Sequence, residues 1–292
     1  MTIIDGKALS SEILDEIKIS VDKLKEEGRR IPGLAVLMIG DNAASESYVS
    51  NKIKSCKRVG FLSQHIHLDD NASQQEIMDI ISDLNQDDAI DGFIVQLPLP
   101  DHLNVDSIIS AIDPAKDVDG FHPENIGNLA LGRAGFISAT PNGIMEMLSR
   151  YKIETQGKHV VVIGRSNIVG RPMSILLSRN GNPGNATVTL AHSRTTNIKE
   201  LCLQADIIIA AVGRPNMVTA DMVKQGTVVI DVGINRVDDE SKKRGYRLVG
   251  DVDFESVSEK ASFISPVPGG VGPMTVTSLL MNTLKSYNNK SE

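Results

Sequence analysis

Tyr48, Lys52 and Cys56 recur at intervals of four residues, so a helix over this stretch presents a phenol, a primary amine and a thiol on one face, with Ser45 extending it. A lysine drawn out of water releases its proton more easily and becomes a base near neutral pH. The plain reading is the polar face of a surface helix, and position argues against it. The stretch follows GLAVLMIG, a short apolar run closed by glycine, which reads as a parallel strand covered on both faces. In open α/β sheets ligands bind beyond the carboxyl ends of such strands. Gln96, ending the run GFIVQL, and Asp119, in the loop DPAKDVDGF, fall at comparable strand ends.

A second group of residues points to a bound nucleotide. VVVIGRSNIVGRP reads as a strand, a glycine turn and a helix start, in which Gly164 permits the turn and Gly170 a close helix–strand approach. The amides opening that helix are suited to a phosphate. The string departs from GxGxxG, since Ser166 stands at the second glycine and the gap is longer; on its own it would also suit an ordinary turn. The next strand, ATVTLAH, ends in Ser193, Arg194 and Thr195, with no acidic residue for a ribose hydroxyl. Hydroxyl and guanidinium suit a 2′-phosphate, and Arg165 adds a second cation, so the expected cofactor is NADP rather than NAD. The alternative is a pair of solvated surface arginines. In PGGVGPMT, two prolines and three glycines between Pro268 and Pro273 set an irregular backbone that a flat ligand can approach closely; a linker is the competing reading.

The elements that must hold these residues alternate. A helix with Leu9, Ile13, Ile17, Val21 and Leu24 on one face stops at Gly28. GLAVLMIG follows, then the Tyr48 helix, the alternating strand FLSQHIHL, a helix capped by Ser73 and Glu76, and GFIVQL. A second series begins with a helix for which Thr140 is the expected N-cap and Pro141 the first residue. It continues through VVVIG, ATVTLAH, DIIIAAVG, TVVIDVG and RLVGDV, with VDDESKKRG as a solvated turn between two strands, and ends in an apolar-faced helix from Met274 to about Tyr287. The expected fold class is α/β with two domains: an N-terminal αβα domain with a mostly parallel sheet, residues 1–139 plus 273–292, and a Rossmann-like, doubly wound NADP-binding domain, residues 140–272.

Composition narrows the partners. The chain has 292 residues, 41% hydrophobic and 23% charged, which suits two folded domains. With no Trp, 3% aromatics and a net charge of −7, neither base stacking, nor a membrane aromatic belt, nor general polyanion binding is expected. The two cysteines, Cys56 and Cys202, read as buried thiols, and no metal is expected. No apolar run reaches the roughly 18 residues of a membrane span, and MTIIDGKALSSE has no signal-peptide pattern, so the expected location is the cytoplasm.

The strings YVSNKIKSC, DGFIVQLPLP, DVDGF, TPNGI, GRSNIVGRP and PGGVGPMT occur in an order and spacing that resembles the FolD-type bifunctional methylenetetrahydrofolate dehydrogenase/methenyltetrahydrofolate cyclohydrolase family, over essentially the whole chain. The resemblance implies NADP-dependent oxidation of 5,10-methylene-tetrahydrofolate to the methenyl cation and its hydrolysis to 10-formyl-tetrahydrofolate. It makes Lys52, Tyr48, Gln96 and Asp119 the catalytic group, with Asp119 on the pterin. Substrate is expected against the same four residues, Leu97 and Pro98, and Pro268, Gly269, Gly270 and Val271. Cofactor contacts are expected at Gly164, Arg165, Ser166, Ile168, Ser193 and Arg194, with Ile234 and Thr275 near the nicotinamide. It also implies a homodimer.

Two departures are visible. Many members have cysteine where Ala139 and Ala191 stand, so neither thiol is needed here. The two steps make different demands: hydride loss leaves a delocalised cation and needs no base, whereas water addition needs a base or a positioned donor, work that Lys52 can do if burial in the cleft lowers its pKa. The other readings are a monofunctional dehydrogenase, a carbonyl-reducing dehydrogenase of the shikimate or amino-acid kind, and a folate-binding module without catalysis.

Overall fold

The computed structural model describes residues 1–242 and 245–291. The chain divides into two compact α/β units: one runs from Ser11 to Ala139 and resumes at Val276, while the other joins Met1–Ser10 to Thr140–Thr275. Among the described residues no helix is long and apolar enough to cross a membrane.

The first unit has a three-stranded parallel sheet in the order Leu62–Leu68, Gly33–Ile39, Gly92–Val95. The central strand is buried at every residue, as a strand covered on both faces must be, while Leu62–Leu68, on the edge, mixes exposed and part-buried residues without strict alternation. Leu37, Ile39, Phe93 and Val95 form a core with Ile77, Ile81 and Leu84, which fall on one face of the helix Gln74–Gln86. Ser73 caps that helix as expected, its hydroxyl accepting from the Glu76 amide at 3.2 Å. Register then fixes the strand ends. Leu37 lies opposite Val95, and the Gln96 amide donates to the Leu37 carbonyl at 2.8 Å, so Gln96 leaves the sheet at the end from which the helix Ala43–Val59 sets out.

The second unit has a six-stranded parallel sheet in the order Thr2–Ile3, Phe263–Ile264, Val228–Asp231, Ile207–Ala210, His159–Ile163, Thr187–Ala191. The chain winds outward from His159–Ile163 in both directions, so the switch point lies beside that strand's carboxyl end. Thr2 and Ile3 pair with Phe263 and Ile264, which ties the first ten residues to this unit. RLVGDV is not part of this sheet. Tyr246–Val249 instead pairs antiparallel with Asn235–Asp238 in a separate hairpin, and Phe263–Ile264 extends the parallel sheet. The turn expected within that hairpin contains Lys243 and Arg244, which lie outside the described residues.

Two helix expectations change. Thr140 does not cap its helix, which spans Ala139–Arg150; its hydroxyl is 2.9 Å from that of Thr275. The last helix spans Val271–Ser291, and its inward face is polar as well as apolar, with Thr277, Ser278, Asn282, Thr283 and Ser286 buried. The reason lies in the loops of the first unit, whose carbonyls need donors. Asn282 Nδ2 donates to the carbonyls of Val118 at 2.8 Å and Ile137 at 3.0 Å, and Ser286 Oγ lies 2.6 Å from the Asp91 carbonyl. Asn282→Ala leaves one buried and one part-buried acceptor without this donor and is expected to cost about 2 kcal/mol. Urea unfolding measures it, and a loss below about 0.5 kcal/mol, the range of ordinary surface changes, would contradict this role.

Candidate active site

In the first unit, the helix Ala43–Val59 carries Lys52 inward, so its ammonium is largely removed from water. Lys52 Nζ donates to Gln96 Oε1 at 2.9 Å, and Gln96 Nε2 donates to the Leu97 carbonyl at 2.8 Å. The second bond fixes which end of the amide faces the amine. Burial lowers the Lys52 pKa, opposed by the charges of Asp119 and Cys56. Tyr48 sits one turn earlier and is 41% exposed. Among the described residues its hydroxyl makes no hydrogen bond to Lys52, whose side-chain partner is Gln96. Cys56, one turn later, is buried, and burial pushes its thiol up to about 12, so it is a packing residue at neutral pH. The Leu97–Pro98 peptide is cis.

The two aspartates of DVDGF divide the work. Asp117 is buried and accepts from the amides of Gly120, Phe121 and His122 and from Asn125 Nδ2, at 2.8 to 3.2 Å, so it folds the loop. A side chain at Gly120 is excluded twice over, because φ is +74° and a Cβ would lie 2.6 Å from the Ser138 amide nitrogen. Asp119 is thereby held half-buried, with no side-chain hydrogen bond to another described residue. Burial raises its pKa to about 6, against the pull of Lys52 and with the help of Asp117. Asp119 and Lys52 interact through space without forming an ion pair within 4 Å.

In the second unit, a cavity of about 360 Å³ opens at the switch point. Gly164, Arg165 and Ser166 line it from the first turn, His192 and Ser193 from the end of the next strand, and Val212 and Arg214 from the turn after Ile207–Ala210. Gly164 and Gly170 are required as expected: a Cβ would come within 2.1 Å of the Ala211 carbonyl oxygen at Gly164, and within 1.9 Å of the Gly164 carbonyl oxygen at Gly170. The amides opening the helix Gly170–Ser178 are partly occupied. Ser166 Oγ accepts from those of Val169 at 3.1 Å and Gly170 at 3.4 Å. Arg194 and Ile168, both exposed, are absent from the cavity wall. The turn bearing Arg214 is held by a buried carboxylate, Asp251, which accepts from three successive amides, Val212 at 2.6 Å, Gly213 at 2.9 Å and Arg214 at 2.8 Å.

Known proteins share this sequence and fold. The catalytic-domain model of the tetrahydrofolate dehydrogenase/cyclohydrolase family matches residues 4–119, and its NAD(P)-binding-domain model matches residues 138–291. The chain belongs to this family. It is 57% identical to a bifunctional protein FolD of Flavobacterium johnsoniae over 284 residues, 97% of this chain and 96% of that one. Among solved structures, the bifunctional FolD of Campylobacter jejuni is 49% identical over 99% of both chains, with a TM-score of 0.93. The Trypanosoma brucei dehydrogenase-cyclohydrolase, solved with NADP and an inhibitor, is 38% identical over 100% of this chain and 98% of that one, with a TM-score of 0.95.

The remaining residues implied by the family resemblance gather in a second cluster of the second unit. Gly270 is pressed against Gly6, where a Cβ would meet the Gly270 carbonyl oxygen at 1.8 Å, and the Lys7 amide donates to the Gly269 carbonyl at 2.9 Å. Ile234 comes close to Gly272, and Thr275 meets Thr140 as described. The Val267–Pro268 peptide is cis. Arg214 and Asp251 were not singled out by sequence; a lone arginine in AVGRPN and an aspartate 38 residues from Gly213 leave no local pattern.

The raised pKa of Asp119 has a measurable sign. Between its ordinary 3.8 and about 6 the folded chain keeps a proton that the unfolded chain has lost, so this residue makes stability fall as pH rises through that window. Asp119→Asn removes the contribution, flattening the stability profile by up to about 1.4 kcal/mol per pH unit there. Denaturant midpoints from pH 4 to 7 measure the change, and an unaltered slope would place Asp119 in a water-like environment.

Proposed function

We propose that the chain is a bifunctional enzyme that oxidises 5,10-methylene-tetrahydrofolate to 5,10-methenyl-tetrahydrofolate with NADP and hydrolyses the product to 10-formyl-tetrahydrofolate. The carrying observation is the buried Lys52 amine, bonded to a neutral amide rather than ion-paired to a carboxylate. A close carboxylate would keep the amine protonated. A glutamine oxygen takes one N–H and leaves the nitrogen lone pair of the neutral form available to a proton.

Bound NADP supplies the hydride acceptor. The cavity fits it: two arginines, a histidine and two serines line it and no carboxylate does, which favours a 2′-phosphate over a bare ribose diol. In the first step the protein orients the substrate, with Asp119 accepting from the pterin's donor groups. In the second, Lys52 takes a proton from the water that adds to the methenyl carbon, while Gln96 holds the amine in place. Tyr48 is exposed on the preceding turn and is assigned to substrate contact. The segment Pro268 to Val271 is assigned to the substrate's flat ring, and Ile234 and Thr275 to the nicotinamide end of the cofactor. The bifunctional relatives support this over a monofunctional dehydrogenase. A homodimer, near twice the chain mass of 31.5 kDa, and a cytoplasmic location complete the reading.

Lys52→Met is expected to reduce hydrolysis by about 100-fold or more while sparing a substantial part of hydride transfer. Reduced cofactor and methenyl intermediate are followed separately with methylene-tetrahydrofolate as substrate. Equal retention of both activities would remove Lys52 from the second step.

A further inference from the structure

The nucleotide cavity contains a cation that the sequence motifs do not announce. Arg214 lines it from the turn after Ile207–Ala210, across the switch point from the turn that carries Arg165. Neither guanidinium has a hydrogen bond or ion pair with another described residue. The two turns share a further property. Their backbone donors are already engaged: Ser166 Oγ takes the amides of Val169 and Gly170, and Asp251 takes those of Val212, Gly213 and Arg214. An anion entering the cavity therefore has fewer main-chain donors to meet than in a glycine-rich phosphate loop, and recognition shifts to side chains.

Charge then sets a requirement. A phosphomonoester carries about −1.5 to −2 at neutral pH, which one guanidinium does not balance. Arg194, which sequence offers as Arg165's companion, is absent from the wall, and Arg214 is the other arginine on it. Its stem is well anchored, because the three amides on Asp251 and the following Pro215 fix the backbone from which it projects. We propose that Arg214 is a specificity-determining residue that, with Arg165, binds the 2′-phosphate of NADP. This rests on the NADP reading above.

The test uses the intact protein and direct binding. Calorimetry with 2′,5′-ADP and with 5′-ADP separates the phosphomonoester from the groups that NAD also carries. Arg214→Gln is expected to weaken 2′,5′-ADP about 10- to 100-fold, the range for losing a charge-assisted contact, while 5′-ADP changes less than about twofold. Arg214→Lys, which keeps the charge without the fork, should recover part of the loss. The KM for NADP should rise with that for NAD unchanged, and the thermal midpoint should not move, since the side chain is exposed. Equal weakening of both nucleotides, or of neither, overturns the proposal. Arg165→Ala is the control for the underlying reading: if it too leaves the preference for 2′,5′-ADP intact, the NADP assignment fails, whereas a loss there alongside an unaffected Arg214→Gln defeats only the part given to Arg214.

Discussion

Placing a primary amine where water hardly reaches it, without pairing it to an acid, is the constraint around which the first unit is arranged. Desolvation pushes Lys52 toward its neutral form, and every charged neighbour alters that balance. Gln96 contributes an acceptor with no charge, and its other end is tied to the Leu97 carbonyl so that the oxygen cannot turn away. Asp119 is kept near enough to be felt and too far to form an ion pair. That separation depends on Asp117, which draws four donors around its own carboxylate and so decides how far the loop extends. Asn282 reaches the same loop at Val118.

The second unit uses the same device at the ends of its strands. Asp251 gathers three amides of one turn, and Asp231 accepts from the amides of Gly233, Asp251 and Val252. These carboxylates do inside the protein what a bound anion does elsewhere, holding consecutive N–H groups in a fixed curve. Burial makes the arrangement costly, and Asp231 is pushed up to about 6. The glycines are where backbone and carboxylate meet: a Cβ at Gly250 would lie 1.7 Å from Asp231 Oδ2.

Much of this was legible as period and punctuation. Buried strands appeared as unbroken apolar runs, the Ser73 cap as a serine three residues before a glutamate, and Gly164 and Gly170 as a turn and a close approach, because each depends on neighbours within a few residues. Interactions closed by long-range contacts were not legible. Thr140 looked like a cap and instead meets Thr275, 135 residues away. A two-residue strand at Thr2–Ile3 is too short for any period, and only Phe263 and Ile264 reveal it. Arg194 follows a strand end as a phosphate ligand should, yet it is Arg214 that stands on the cavity wall.

The polar face of the last helix also bears on how the chain is made. Asn282 supplies the donor for the Ile137 carbonyl across 145 residues of sequence. At roughly 5–20 residues per second of synthesis, that acceptor waits about 7–30 s for its partner. Until then residues 11–139 lack the donors that Asn282 and Ser286 bring to the carbonyls of Val118, Ile137 and Asp91. Completion of the unit that carries Lys52 therefore waits for the segment that begins at Val276, which brings the Asn282 amide and the Ser286 hydroxyl to their acceptors.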